Sequence, residues 1–279
     1  MTELTVVKCG GHTAVEPGAV CRDLARLRST GHRVVLVHGG SVDIDRFADR
    51  LGVPRRRLRT TNGTVVRHTD EDMLEVVQLA LGGVVKPRFV SELAKASVPA
   101  AGLTGMDAGL VLARRKSATR TVVDGRVLVV RDNHAGLIER VNARLLRRLL
   151  ASDLVPVLSP PAITEDGAAV NVDADRMAAA VASALSATSL IMLTAARGVY
   201  RDPHDEESVL PVCHVDNGAV DADVQGGMAV KIHAGEQALR AGVPRVVVAD
   251  GRLERPVRAA MEGRGTTLKM ASGDVRRRG

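Results

Sequence analysis

The sequence predicts an α/β fold, a three-layer αβα sandwich of two lobes around a mostly parallel central sheet. Two observations carry that expectation. Short apolar runs rich in β-branched residues alternate with longer amphipathic stretches, as a parallel sheet covered on both faces requires. Two of these runs also end alike: Thr5-Val6-Val7-Lys8-Cys9-Gly10-Gly11 and, one helix further on, Val34-Val35-Leu36-Val37-His38-Gly39-Gly40. Neighbouring strand ends finished by glycine pairs put bare N–H groups at the carboxyl edge of the sheet, where open α/β sheets bind ligands. An isolated glycine pair is usually a turn. Two at equivalent strand ends read as a phosphate cradle made by Gly10, Gly11, Gly39 and Gly40.

Local signals place the other elements. Pro17 and Gly31 bracket a helix over 17–30. A second helix spans 42–51 with Ser41 as its cap. Residues 54–62 are a basic, turn-rich loop holding Arg55, Arg56, Arg57 and Arg59. Helical periodicity covers 70–97, bent at Gly82-Gly83 and Pro87. Two short strands flank a turn at Thr104-Gly105-Met106-Asp107, and Asp124-Gly125 is the turn of a hairpin over 121–131. A strand near Leu137, a helix over 142–151 and a strand over 154–159 follow, and Pro160-Pro161 breaks the chain. Asn171-Val172-Asp173-Ala174-Asp175 opens an alanine-rich helix. Beyond it come a strand at 190–194, a polar loop over 195–215, a helix after Gly226-Gly227, a strand at 245–249 and a closing helix. The expected division is a lobe over 1–177, a second over 178–269, and a disordered tail over 270–279.

At 279 residues and 45% hydrophobic content the chain can build a large core. It has no apolar run long enough for a membrane span and no basic-then-apolar leader, so a cytoplasmic protein without membrane contact is expected. Cys9, Cys21 and Cys213 have neither metal-ligand spacing nor an even count, so they are packing residues and no metal site is expected. Lys and Arg outnumber Asp and Glu by 39 to 32, which attracts acidic partners. Nucleic acid is disfavoured: two Phe, one Tyr and no Trp leave little for bases to stack on. Lysine stands at only six positions, and two of these, Lys8 and Lys231, lie beside glycine pairs.

Taken in order, Val-Lys-Cys-Gly-Gly, Val-His-Gly-Gly, Val-Arg-His-Thr-Asp, Asn-Val-Asp-Ala-Asp, Gly-Val-Tyr-Arg-Asp-Pro and Gly-Gly-Met-Ala-Val-Lys resemble the amino acid kinase family over nearly the whole chain. Within it the chain is similar to the carboxylate kinases of the N-acetylglutamate kinase type. It is most similar to the branch that phosphorylates aminoadipate or glutamate attached to an acidic amino-group carrier protein. Leu-Val-His-Gly-Gly-Ser, Arg114-Arg115-Lys116 and Pro156-Val157-Leu158-Ser159-Pro160-Pro161-Ala162 carry that likeness.

The resemblance implies the amino acid kinase fold, a homodimer, and ATP with Mg²⁺ carried on its phosphates. It makes Lys8, Asp175 and Lys231 catalytic: the lysines flank the transferring phosphoryl and Asp175 orients both. Loose phosphoryl transfer is catalysed mainly by positioned positive charge, so the chemistry agrees. Arg67 and Asn171 are implied to hold the main-chain end of the acceptor. Thr194, Tyr200, Asp202 and Gly227 fall on the nucleotide side. Asp173 is assigned to helix capping. His38 and His68 receive no catalytic role, since a carboxylate acceptor is already ionised at neutral pH. Arg114, Arg115 and Lys116 form an exposed basic rim that would steer a carrier protein. Two alternatives stay open: a kinase of free N-acetylglutamate, and a non-catalytic regulatory or RNA-binding protein suggested only by net charge.

Overall fold

A computed structural model describes residues 3–61, 63–216, 219–220, 222, 224 and 226–271. In chain order the first elements are β1 (Leu4–Cys9), α1 (Pro17–Ser29), β2 (Arg33–His38), α2 (Ser41–Leu51), β3 (Arg57–Arg59) and β4 (Val65–Arg67). Then come α3 (Glu71–Gln78), a π-helical stretch Leu79–Val85, α4 (Lys86–Lys95), β5 (Ala100–Gly105), β6 (Val111–Arg115), β7 (Thr119–Val123) and β8 (Arg126–Val130). The middle of the chain forms β9 (Gly136–Val141), α5 (Ala143–Ala151), β10 (Val155–Ile163), β11 (Ala169–Val170) and α6 (Ala174–Leu185). The last elements are β12 (Ser189–Thr194), β13 (Val212–Asp216), β14 (Ala219–Val220), α7 (Gly226–Arg240), β15 (Arg245–Asp250), α8 (Pro256–Met261) and β16 (Thr266–Met270).

The main sheet has 12 strands in the order β14-β13-β16-β15-β12-β1-β2-β10-β6-β9, with β5 and β11 also paired to β10. β1 is its centre, parallel to β2 on one side and β12 on the other. Strands from before α6 lie on the β2 side, and strands from after it on the β12 side. Alternation along β1 feeds two separate cores, one on each face. Val6 packs with Met177, Ala178 and Ile232 of α6 and α7, while Val7 and Cys9 pack with Leu24, Phe89 and Val257 of α1, α4 and α8. Lys8 shares the face of Val6, so its side chain emerges toward α6 and α7.

The helix ends follow their sequence signals. Asp173 caps α6 by accepting from Asp175 N at 2.9 Å and Arg176 N at 3.0 Å, as expected of that residue. Asn142 caps α5 by accepting from Leu145 N at 3.1 Å. Ser41 is different: it is the first helical residue, Gly40 stands at the N-cap, and no side chain caps α2.

Other expectations are corrected by long-range pairing. The basic segment over 54–62 contains β3, which forms a hairpin with β4 that pairs Arg57 with Arg67. Asp45 offsets the cross-strand like charges, lying 3.1 Å from Arg57 and 2.5 Å from Arg67. The helical stretch expected over 70–97 is found, however, with α3, the π-helical stretch holding Gly82-Gly83 and α4 running on without a break, and Pro87 in the first turn of α4. Pro160-Pro161 does not break the chain. β10 runs through it, pairing with β5 up to Ser159 and with β11 from Ala162, so the prolines fall where no ladder bond is needed. β13 begins inside the polar segment expected over 195–215, and β16 follows the helix expected to close the fold. The expected tail lies, beyond Ala271, outside the described residues.

Candidate active site

Lys8 from β1, Asp175 from the first turn of α6 and Lys231 from α7 meet although 56 residues separate Asp175 from Lys231. Lys8 Nζ lies 2.9 Å and Lys231 Nζ 2.8 Å from the same oxygen, Asp175 Oδ1. Each of the three residues is only 6% exposed. One carboxylate thus serves two ammonium groups, and the cluster keeps an excess of positive charge in a site shielded from water.

The proton affinities follow from that imbalance. Burial alone would raise the Asp175 carboxyl, yet the two lysine charges prevail and hold it down at about 2. Burial likewise opposes the charge on Lys8, but Asp175 and then Asp173 outweigh it and raise the ammonium. For Lys231 burial and the nearby Lys8 charge win over Asp175, and its pKa is lowered.

The glycine turns stand beside this cluster. A Cβ on Gly39 would lie 3.5 Å from Ala174 Cβ, so the second turn abuts the start of α6. The turns also touch each other: a Cβ on Gly11 would lie 2.5 Å from Ser41 N and 2.6 Å from Gly40 Cα. Not all four amides are free, however. Gly10 N donates to Leu193 O and Gly39 N to Cys9 O, each at 3.2 Å, extending the parallel ladders. Among the described residues no acceptor faces the amides of Gly11 and Gly40. The free part of the expected cradle is therefore Gly11 and Gly40. Beside it opens a cavity of about 290 Å³ reached by Arg46 and Arg88. Gly11→Ala forces backbone apart at the contact between the turns, and we expect it to lower turnover by at least about a hundredfold, the loss typical of a displaced oxyanion donor. Steady-state kinetics checks this, with circular dichroism to confirm folding.

His38, at the end of β2, is buried and stacked on Phe89 with ring centroids 5.1 Å apart. Burial pushes its pKa down to about 4, so it is neutral at pH 7.

The residues expected at the acceptor lie around the start of α3. Arg67 is clasped by Asp45, and its guanidinium also reaches Ser41 O at 3.4 Å, next to the second glycine turn. Asn171 Nδ2 donates to Thr69 Oγ1 at 3.1 Å. Buried Asn133 ties this region to β7, accepting from Thr69 N at 3.0 Å and donating to Thr119 Oγ1 at 2.9 Å. Asp45 and Asn133 carry no motif, and only the tertiary contacts reveal them.

The other expected residues are more dispersed. Thr194 ends β12 at the same sheet edge, and its carbonyl accepts from Gly251 N at 2.7 Å. Tyr200 and Asp202 lie in the loop that follows, where the Tyr200 hydroxyl accepts from Arg197 N and Asp202 Oδ1 from His204 N. Gly227 is exposed in the first turn of α7. The basic run is not one rim. Arg114 is exposed and pairs with Glu139 at 3.1 Å, Arg115 is exposed and reaches the carbonyls of Asn133 and Arg131, and Lys116 is half-buried.

The model of the amino acid kinase family matches residues 3–250. Over 269 residues the chain is 38% identical to the LysW-aminoadipate kinase of Thermus thermophilus, covering 95% of this chain and 100% of that one. Over 254 residues it is 35% identical to the acetylglutamate kinase of Psychrobacter cryohalolentis, covering 90% of this chain and 83% of that one. The fold matches the solved structure of smu.665 from Streptococcus mutans with a TM-score of 0.75 at 23% identity, covering 96% of this chain and 99% of that one. The chain belongs to the amino acid kinase family and is a phosphotransferase. No helix among the described residues is long and apolar enough to cross a membrane.

Proposed function

We propose that the protein transfers the terminal phosphoryl group of ATP to the distal carboxylate of 2-aminoadipate or glutamate held by its amino group on a small acidic carrier protein. The convergence of Lys8 and Lys231 on one Asp175 oxygen carries the phosphotransfer part of this reading. A carboxylate oxygen attacks the γ-phosphorus, the bond to the bridging oxygen breaks, and ADP leaves with that electron pair. The product is an acyl phosphate. The acceptor is ionised before it binds, so no general base takes part.

Lys8 meets the phosphoryl in transit and Lys231 the leaving side, while Asp175 fixes both and leaves their excess charge for the transition state. Gly11 and Gly40 supply amides, and Arg67 and Asn171 hold the acceptor. Thr194, Tyr200, Asp202 and Gly227 border the nucleotide. Asp175 is already engaged by both lysines, and among the described residues no cluster of three His, Cys, Asp or Glu side chains gathers as metal ligands. These residues fit a Mg²⁺ bound by the nucleotide's own oxygens. The position of β1 between strands of the earlier and later chain supports an acceptor lobe over 1–177 and a nucleotide lobe over 178–269.

The name of the Thermus thermophilus relative supports a carrier-borne acceptor, as does the excess of basic residues. The likeness to acetylglutamate kinases favours a second reading, phosphorylation of free N-acetylglutamate. Acyl-phosphate formation, trapped as hydroxamate, separates the two when acidic carriers bearing either diacid are compared with N-acetyl-L-glutamate. We expect kcat/KM to favour the carrier-borne acceptor by at least about a hundredfold at low salt, with the advantage shrinking as ionic strength rises. A preference for the free acceptor would establish the second reading instead.

A further inference from the structure

The histidine of Val-His-Gly-Gly has no part in moving protons, yet it is buried directly behind the second glycine turn. In that turn the main chain pins the peptides on either side of the one that joins Gly39 to Gly40. Gly39 N donates to Cys9 O at 3.2 Å, and Gly40 O accepts from Ile44 N at 2.8 Å. The peptide between them carries the free Gly40 amide of the cradle. Among the described residues its carbonyl, Gly39 O, has one hydrogen-bond partner, His38 Nδ1 at 3.0 Å. A carbonyl only accepts, so Nδ1 holds the proton and Nε2 is bare. Among the described residues Nε2 has no hydrogen-bond partner. Stacking on Phe89 fixes the plane of the ring. Burial, helped by the charges of Lys86 and Lys8, keeps the ring uncharged against the pull of Gly39 O and Asp43.

A buried imidazole with one nitrogen unserved is less favourable than an aliphatic side chain of similar size. What it supplies is direction. The Gly39–Gly40 peptide is trans, so its C=O and N–H point opposite ways. With no Cβ on either side, that plane turns over at little steric cost unless something holds it. We infer that His38 is a positioning residue: by donating to Gly39 O it holds this peptide so that the Gly40 N–H faces the phosphoryl in transit. The inference rests on the phosphotransfer reading of the glycine turns and deepens it. His38 touches no reactant and acts only through the peptide next to it.

Two substitutions in the full chain separate direction from packing. His38→Leu fills the space and removes the donor. His38→Asn keeps an N–H near the place of Nδ1 and gives up the stacking on Phe89. With the acceptor that the wild type uses best, His38→Leu is expected to lower kcat at least about tenfold, part of the loss seen when an oxyanion donor is removed outright. Its KM for ATP and for acceptor should change by less than about threefold, and its melting temperature should not fall. His38→Asn should melt lower yet keep kcat within about threefold of wild type. A folded His38→Leu with wild-type kcat, or an Asn variant as slow as the Leu variant, overturns the assignment. A second readout needs no acceptor. NMR of protein labelled at the histidine ring nitrogens, assigned by the signal lost in His38→Asn, should show His38 protonated at Nδ1 alone at neutral pH. A proton on Nε2 overturns the assignment as well. A wild type inactive towards every carboxylate acceptor would sink the kinase reading and leave this tautomer measurement to decide the role of His38.

Discussion

Lys8→Met is expected to lower kcat by about a thousandfold, the scale of removing a charge aimed at a developing oxyanion, without lowering the melting temperature of the nucleotide-free protein. The two outcomes have one cause. Lys8 and Lys231 share a single carboxylate oxygen at 2.9 and 2.8 Å, so the resting site carries one buried cation too many. Replacing either lysine by an apolar side chain of similar length leaves a neutral ion pair, an easier object to bury. Lys231→Met should behave likewise, and both variants trade activity for stability. The lysines should differ in the pH profile. Burial and the charge of Lys8 lower the pKa of Lys231, whereas Asp175 raises that of Lys8. In the nucleotide-free protein Lys231 therefore loses its proton first as pH rises, and the alkaline limb of kcat/KM belongs to it. Kinetics beside differential scanning fluorimetry checks all of this. Activity above about a tenth of wild type in Lys8→Met would place that lysine outside the chemistry.

The parts of this molecule that are legible in the sequence are those whose signal is local. β1 and β2 announce themselves because a strand buried on both faces reads as a nearly continuous apolar run. The Asp124-Gly125 turn and the Asp173 cap are read from two to four residues of chain. The meeting of Lys8, Asp175 and Lys231 has no such signature; only the family resemblance joins them, and the structure shows why they meet. β1 delivers Lys8 to the same face on which α6 and α7 pack. What stays hidden is pairing between distant segments. The β3–β4 hairpin joins strands of three residues each, too short to show a period, and it is stabilised by Asp45 from a helix earlier in the chain. The run of β10 through Pro160-Pro161 depends on a change of strand partners that no local pattern encodes. The two spent glycine amides show the same limit, since the sequence marks where an N–H is bare but not which neighbouring carbonyl takes it.

Asp175→Asn should be the most destabilising single change in the site, and most of all in the absence of nucleotide. The amide keeps the shape but removes the charge that both ammonium groups face, leaving two buried cations uncompensated at a cost of about 3–5 kcal/mol. For a chain of this size that corresponds to a fall of roughly 6 °C or more in melting temperature. ATP or ADP brings phosphate charge to the same lysines, so saturating nucleotide should recover part of the loss and raise the variant's melting temperature more than the wild type's. The wild-type protein makes a related prediction in acid. The Asp175 carboxyl is held at about 2, below its ordinary 3.8, so the folded state binds this proton less readily than the unfolded chain does. The resulting stabilisation, about 2 kcal/mol, is complete above pH 4 and is lost as pH falls from there through about 2. The gap between wild type and Asp175→Asn in urea denaturation should therefore narrow by about 2 kcal/mol across that range. A gap that stays constant down to pH 2 would mean that the carboxylate's charge is not what holds the two lysines together.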